Sequence, residues 1–333
     1  MTVRALIRIA FILAFIVITL GALTRLLDAG LGCPDWPGCY GKLIPPSQTA
    51  LNEPTVMDTG KAWMEMIHRY TAGLLGLILL LVSLKVERSP SISSRARWLT
   101  RGLLLLVIAQ AVFGMWTVTL QLLPQIVTIH LLGGMSLLVL IWVLRRQLSP
   151  PLPVEVDKRV KLAAAMVLLL LIIQITLGGW TSSQYAGLAC PDFPTCQGKW
   201  LPDMDMQQAF NISDFVAANH EGGLLSLEAR TAIQVVHRLF ALLLTVSIIA
   251  LGIAMWRHPR LKATVVTLMG LIALQLSLGI ANAVLLLPLP LALAHNTGAA
   301  LLLLCMTDIV FRLQSQTHSV VRQHHSPISQ STG

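Results

Sequence analysis

The chain has 333 residues, 55% of them hydrophobic and 12% charged, with a mean hydropathy of +0.73. That balance excludes a soluble domain with one large core and describes a polytopic membrane protein. The net charge of +9 is read as loop charge, because Lys and Arg accumulate on the cytoplasmic side of membrane proteins, and no nucleic-acid partner is expected.

Eight apolar stretches of about 20 residues, the length that crosses a bilayer, follow one another. They run near Ile7–Leu27, Met66–Val86, Trp98–Leu120, Gln125–Leu144, Leu162–Ser182, Ala232–Trp256, Ala263–Leu285 and Leu289–Arg312. No Ala-x-Ala pattern follows the first, which reads as a retained helix and not a signal peptide. No long Arg- and Ser-rich segment precedes it, which points to a bacterial inner membrane and not an organelle. With the N-terminus cytoplasmic, 17 of the 24 Lys and Arg fall inside, and the other seven are Arg25, Lys42, Lys61, Arg69, Lys199, Arg230 and Arg238. The two long loops, after spans one and five, then face the periplasm. The polar tail with His318, His324 and His325 reads as a disordered cytoplasmic end, with metal binding as the alternative.

The chain repeats itself. Thr19–Lys42 aligns without gaps on Thr176–Lys199, and Gln110-Ala111-Val112-Phe113-Gly114 is echoed by Gln275-Leu276-Ser277-Leu278-Gly279. An even number of spans separates the copies, so the halves are parallel repeats about an axis along the membrane normal. The expected fold is an all-α membrane protein of eight transmembrane helices, arranged as two pseudo-symmetric four-helix bundles with periplasmic paired-Cys loops. Residues 1–146 form the first half, 147–161 a cytoplasmic linker around Pro150-Pro151-Leu152-Pro153, 162–312 the second half and 313–333 the tail.

Each half places two histidines near the periplasmic ends of its helices: His68 and His130, then His237 and His295. Facing imidazoles in a four-helix bundle suit axial ligation of one haem iron. Interhelical hydrogen bonding is the bland reading, and a proton relay would use histidines staggered in depth. Four at matched depth in matched helices favour ligation. Gly73, Gly76, Gly133, Gly134 and Gly298 are the small residues expected to admit a flat ring. Arg69 and Arg238 each follow a histidine and are candidates for haem propionates, with interfacial snorkelling as the alternative. His220 is expected to be solvated, and Cys305 a buried apolar residue.

One difference breaks the repeat. The motif Glu65-x-x-His68-Arg69 returns as Gln234-x-x-His237-Arg238. A carboxyl three residues before a histidine shares its helix face and can take protons or steady positive charge; a Gln does neither. A simple ion pair with Arg69 is the bland reading of Glu65. Cys33 and Cys39 bracket one short loop, and Cys190 and Cys196 its copy. In an oxidising compartment they are expected as two disulfides, with a four-Cys zinc site as the alternative.

Thr24-Arg25-Leu26, Gly30-Leu31, Glu65-x-x-His68-Arg69, His130, His237 and His295, in two four-helix halves with paired-Cys loops, resemble the haem A synthase family up to about Arg312. The resemblance implies oxidation of a methyl group of haem O to the formyl group of haem A, by successive hydroxylations with oxygen from water. It implies a resident haem b on His237 and His295, the substrate porphyrin between His68 and His130, and Glu65 as the essential acid. A haem O synthase and an unidentified electron acceptor are the expected partners within the lipid bilayer, and a homo-oligomer is compatible with the sequence. A quinol-linked two-haem b-type electron carrier is the alternative, with a haem transporter behind it.

Overall fold

All eight apolar stretches fold as helices: α1 (Val3–Leu26), α2 (Thr59–Glu87), α3 (Ser94–Thr119), α4 (Pro124–Leu148), α5 (Lys158–Ser183), α7 (Leu227–Trp256), α8 (Lys262–Val284) and α9 (Leu289–Gln314). A one-turn helix, α6 (Met206–Ala209), lies in the second long loop. The computed structural model describes residues 2–46, 58–149, 154–213 and 219–314. Pro150-Pro151-Leu152-Pro153 and the histidines of the tail lie outside the described residues.

Helix starts follow capping chemistry. The side chains of Thr2, Asp58, Ser93, Asp157 and Ser226 each accept a backbone N–H of the first turn, satisfying donors that have no intrahelical partner. Hydropathy alone starts α2 at Met66 and α7 at Ala232, whereas the helices begin at Thr59 and Leu227. The additional turns are less apolar, but they are held by their caps and by burial of Ala62 and Met66 under the first cysteine loop, and of Ala229 and Ala232 against Trp180, Ala186 and Ala209.

The packing separates two bundles. α1 packs on α2 and α4, and α3 lies against α2 and α4; α5, α7, α8 and α9 repeat this arrangement. The bundles meet where α1 and α4 face α5 and α9. One continuous apolar core, including Ile7, Leu138, Ile141, Ile248, Leu268 and Met306, fills the end away from the cysteine loops. At that end Asp308 takes Arg146 at 2.6 Å and Arg312 at 2.6 Å, tying α4 to α9.

The backbone repeats down to unusual conformations. Left-handed φ values recur at Asp28 and Tyr185 (48° and 54°), Tyr40 and Gln197 (54° each), and Leu122 and Leu287 (60° and 59°). Both Trp36-Pro37 and Phe193-Pro194 are cis. The pseudo-two-fold axis is marked by residues that touch their own repeat mates: Arg25 Nη2 donates to the Ser182 carbonyl at 2.5 Å, and the Tyr185 hydroxyl to Asp28 at 2.7 Å. Arg25 also stacks over the Tyr185 ring at 4.0 Å.

His220 departs from expectation. It is buried, 7% exposed, and its backbone N–H donates to the Gln121 carbonyl at 3.1 Å. The turn at Gly222 and Gly223, both at φ 82°, folds the second long loop onto the α3–α4 turn of the first half. The Glu221 carboxylate then meets Lys61 at 3.4 Å. Cys305 is a free thiol, only half-buried against the main core.

Candidate functional site

Above the apolar core, the four histidines occupy equivalent places in the two bundles. His68 and His130 face each other with ring centroids 6.5 Å apart and planes at 90°. Two metal–imidazole bonds of about 2 Å each would take up about 4 Å of that span, and the two half-rings the rest. The Nδ1 atoms of His68, His130 and His295 are buried without a hydrogen-bond partner. Buried polar atoms rarely stay unpaired without a reason, and none of these three rings has a side-chain hydrogen-bond partner among the described residues.

Each imidazole rests on a glycine of a neighbouring helix. A Cβ on Gly21 would lie 2.9 Å from Cε1 of His68, and one on Gly114 3.4 Å from Cε1 of His130. The second half repeats the contact, with Gly178 at 3.3 Å from His237 and Gly279 at 3.2 Å from His295. These four glycines form the imidazole sockets, a role separate from that of the glycines expected to admit the macrocycle. Gly133 and Gly298 instead admit the side chains of Gln110 and Gln275, which a Cβ would meet at 1.8 Å and 2.4 Å. Gly73 has no neighbour within 4 Å in that direction. Gly21, Gly114, Gly178 and Gly279 all lie inside the repeated segments, but their histidines are on other helices, so periodicity within one helix does not pair them.

Glu65 is 4% exposed, not at an open helix mouth. It is separated from His68 by about 4.5 Å along the axis, at 1.5 Å per residue. Its Oε2 accepts the Cys33 backbone N–H at 2.9 Å, and its Oε1 pairs with Arg69. The ion-pair reading of Glu65 is therefore realised, but in a buried setting where each charge depends on the other. Arg69 also donates to the carbonyls of Asp35 at 2.9 Å and Gly38 at 2.7 Å. Carboxylate, guanidinium and cysteine loop thus form one unit. The loop is closed by the Cys33–Cys39 disulfide and seats on Ala62 and Met66.

The second half builds the same loop around a neutral side chain. Cys190–Cys196 is bridged, and Arg238 donates to the carbonyls of Cys190 and Thr195, both at 2.8 Å. Gln234 is 8% exposed, and its Oε1 is buried without a partner. Gln197 anchors the loop instead, donating to the Ala189 carbonyl at 3.0 Å and the Thr231 hydroxyl at 2.9 Å. With both pairs bridged, the four-Cys zinc alternative falls. Among the described residues no three His, Cys, Asp or Glu side chains gather into a metal cluster.

The sequence matches the profile of the cytochrome oxidase assembly protein family over residues 4–307. The chain belongs to this family. As a cytochrome oxidase assembly protein it is similar to the heme A synthase of Shewanella oneidensis, 41% identical with 95% of this chain and 98% of that protein covered. It is also similar to the heme A synthases of Maricaulis maris, 28% identical over 89% and 91% of the two chains, and Rhizobium etli, 29% identical over 86% and 82%. The family match takes in both histidine pairs, both disulfide loops and Glu65, so the whole two-bundle unit is the family's domain and not an addition to it.

Proposed function

We propose that this protein is a haem A synthase, a membrane enzyme that acts on haem O in the assembly of cytochrome oxidase. The observation that carries the reading is a pair of matched two-histidine sites of which only one has a buried carboxylate. The relatives named heme A synthase, in an alignment that covers nearly the whole chain, support it.

The residues present fit haem at both levels. Facing, buried imidazoles seated on glycines suit axial ligands in a bundle. His237 and His295 would hold a resident haem b, which supplies one-electron chemistry when bound. His68 and His130 hold the substrate porphyrin. The reaction takes its oxygen from water, converts methyl to formyl through successive hydroxylations, and passes the electrons to an acceptor outside the chain. Glu65 is the group that receives protons or steadies positive charge as the methyl carbon is oxidised. Cys33 N–H and Arg69 hold the carboxylate in place, so it needs no reorganisation. Each guanidinium has five N–H donors, and those of Arg69 and Arg238 not spent on loop carbonyls or on Glu65 would be available to haem propionates. The half of residues 1–146 does the chemistry and the half of 162–312 retains the cofactor.

The cysteine loops lie on the periplasmic side of a bacterial inner membrane, and both termini are cytoplasmic. A haem O synthase in the same bilayer supplies the substrate, whose farnesyl tail favours lateral entry. The test is co-expression with a source of haem O in cells lacking their own activity, followed by haem extraction. Haem A together with haem B is the expected result. Haem B alone, at two per chain, would identify the electron carrier instead.

A further inference from the structure

The end of the molecule away from the cysteine loops has a basic cavity that takes no part in the histidine sites. It lies in the seam between α1 and α4 and has a volume of about 130 Å³. Arg4, Ile7 and Arg8 of α1 line one side, and Arg145, Leu148 and Ser149 at the end of α4 line the other. Each helix contributes positions i, i+3 and i+4, the spacing of one helical face. Arg4 Nη2 donates to the Leu148 carbonyl at 3.3 Å and so joins the two helix ends. One turn further along each helix, Phe11 of α1 meets Trp142 of α4 with ring centroids 5.4 Å apart, and Arg145 stacks over the Trp142 ring at 4.8 Å.

Three guanidinium groups therefore share one small cavity, and among the described residues none of them has a carboxylate partner. The acids of that end are engaged elsewhere. Asp308 takes Arg146 and Arg312, both at 2.6 Å, and Glu87 takes Arg101 at 2.7 Å. No acidic residue precedes Asp28, and none lies between Glu87 and Glu155. Like charges gathered in one place repel unless an anion joins them. The second half does not repeat the arrangement. In the register that pairs Gly21 with Gly178 and Gly133 with Gly298, Arg4, Arg8 and Arg145 correspond to Lys161, Ala165 and Val310. At those positions one cation stands in place of three.

We propose that this cavity seats the phosphate of an anionic glycerophospholipid, one per chain. Arginine meets phosphate oxygens with paired N–H donors, and basic pockets between transmembrane helices are where such headgroups bind. The surroundings favour a lipid over free phosphate. Ile7 and Leu148 give the cavity an apolar wall. One and two turns on from Arg8, Ile12 and Ile16 are 59% and 44% exposed on the outer surface of α1, where an acyl chain can run. The headgroup ties α1 to α4 at the end opposite the histidines, so the site stands apart from the haem assignment.

The test uses the full chain, delipidated in detergent and titrated with phosphatidylglycerol or phosphatidylcholine, with bound lipid counted by native mass spectrometry. One phosphatidylglycerol per chain should bind in clear preference to phosphatidylcholine. Each basic side chain beside an anionic lipid contributes about fivefold to affinity. Arg4→Gln/Arg8→Gln/Arg145→Gln should then weaken binding about 100-fold, and Arg8→Gln alone about fivefold; the single variant decides the matter if the triple variant does not fold. Arg88→Gln/Arg257→Gln/Arg260→Gln removes the same charge from the same end outside the cavity and should leave the bound lipid in place. Equal losses in the two triple variants would mean general attraction to a charged surface and overturn the site. Equal binding of phosphatidylcholine would overturn recognition of the anionic headgroup. Displacement of the lipid by inorganic phosphate at constant ionic strength would identify a free-anion site and overturn the lipid.

Discussion

The two bundles have the same loop, the same histidines and the same glycine sockets, yet differ in the polar groups around them. Glu65 has both carboxylate oxygens engaged, by Cys33 N–H and by Arg69. Gln234, at the same place, leaves its oxygen unpartnered. In the first half a charge is buried at the cost of desolvation, which the guanidinium and the amide offset. In the second half the charge is absent and an amide, Gln174, stands beside a histidine where the first half has Val17. A duplicated scaffold therefore fixes position, and on the proposed function a few polar substitutions would assign each copy its task.

The largest expected effect separates the halves by cofactor content. His237→Ala and His295→Ala should each lose most haem B from the purified protein, read by pyridine haemochrome, whereas His68→Ala and His130→Ala should keep it. The opposite pattern would reverse the assignment of the halves.

The arginines sharpen the comparison through stability. Arg69 balances a buried carboxylate, whereas Arg238 donates to loop carbonyls and lies over the Phe193 ring. Arg69→Ala strands a charge and should cost about 3 kcal/mol or more. Arg238→Ala should cost less, about 1–3 kcal/mol for unsatisfied carbonyls. Thermal unfolding in one detergent should rank them in that order, and equal losses would mean that the Glu65–Arg69 pair is energetically unimportant.

Next come the bridges. The double variants Cys33→Ser/Cys39→Ser and Cys190→Ser/Cys196→Ser each remove a link that closes a short ring, worth about 2 kcal/mol on the chain-entropy model. The first should also reduce haem A yield, because Cys33 N–H holds Glu65. The second should leave the Glu65 site intact, so equal losses of activity would argue against a loop-held carboxylate.

The smallest effect concerns Asp192. Its carboxyl is held below the usual aspartate range by the Thr195 hydroxyl and the Gly198 and Gln197 N–H groups, all outside the membrane spans. A carboxylate with a depressed folded pKa stabilises above its unfolded pKa, and that contribution fades as pH falls through the folded value. Amide exchange at Gln197 and Gly198 should therefore accelerate only below the ordinary aspartate range. Asp192→Asn should remove that acid dependence and leave haem content unchanged.

Much of this was legible in the sequence. Twenty-residue apolar runs located every span, and the repeat placed the histidines and cysteines in register. The Glu65/Gln234 exchange was visible as one letter. The helix starts at Thr59 and Leu227 were not, because their stability comes from caps and from packing under loops that are distant in sequence. The imidazole sockets were not legible for a similar reason: Gly21 meets His68 from a different helix, and spacing within one helix does not pair them. Gln174 lay unnoticed in an apolar run, since its contact depends on His237 being opposite. His220 looked solvated because local composition says nothing of a loop folding onto the other half.

The central claim is that the charge on Glu65 assigns the chemistry to the first half. Glu65→Gln changes that charge and little else, keeping shape and hydrogen-bonding capacity. The deciding measurement is the haem composition of Glu65→Gln, co-expressed with a haem O source in cells without their own activity. The account predicts a folded protein with haem B and haem O and little or no haem A. Near-normal haem A would contradict it.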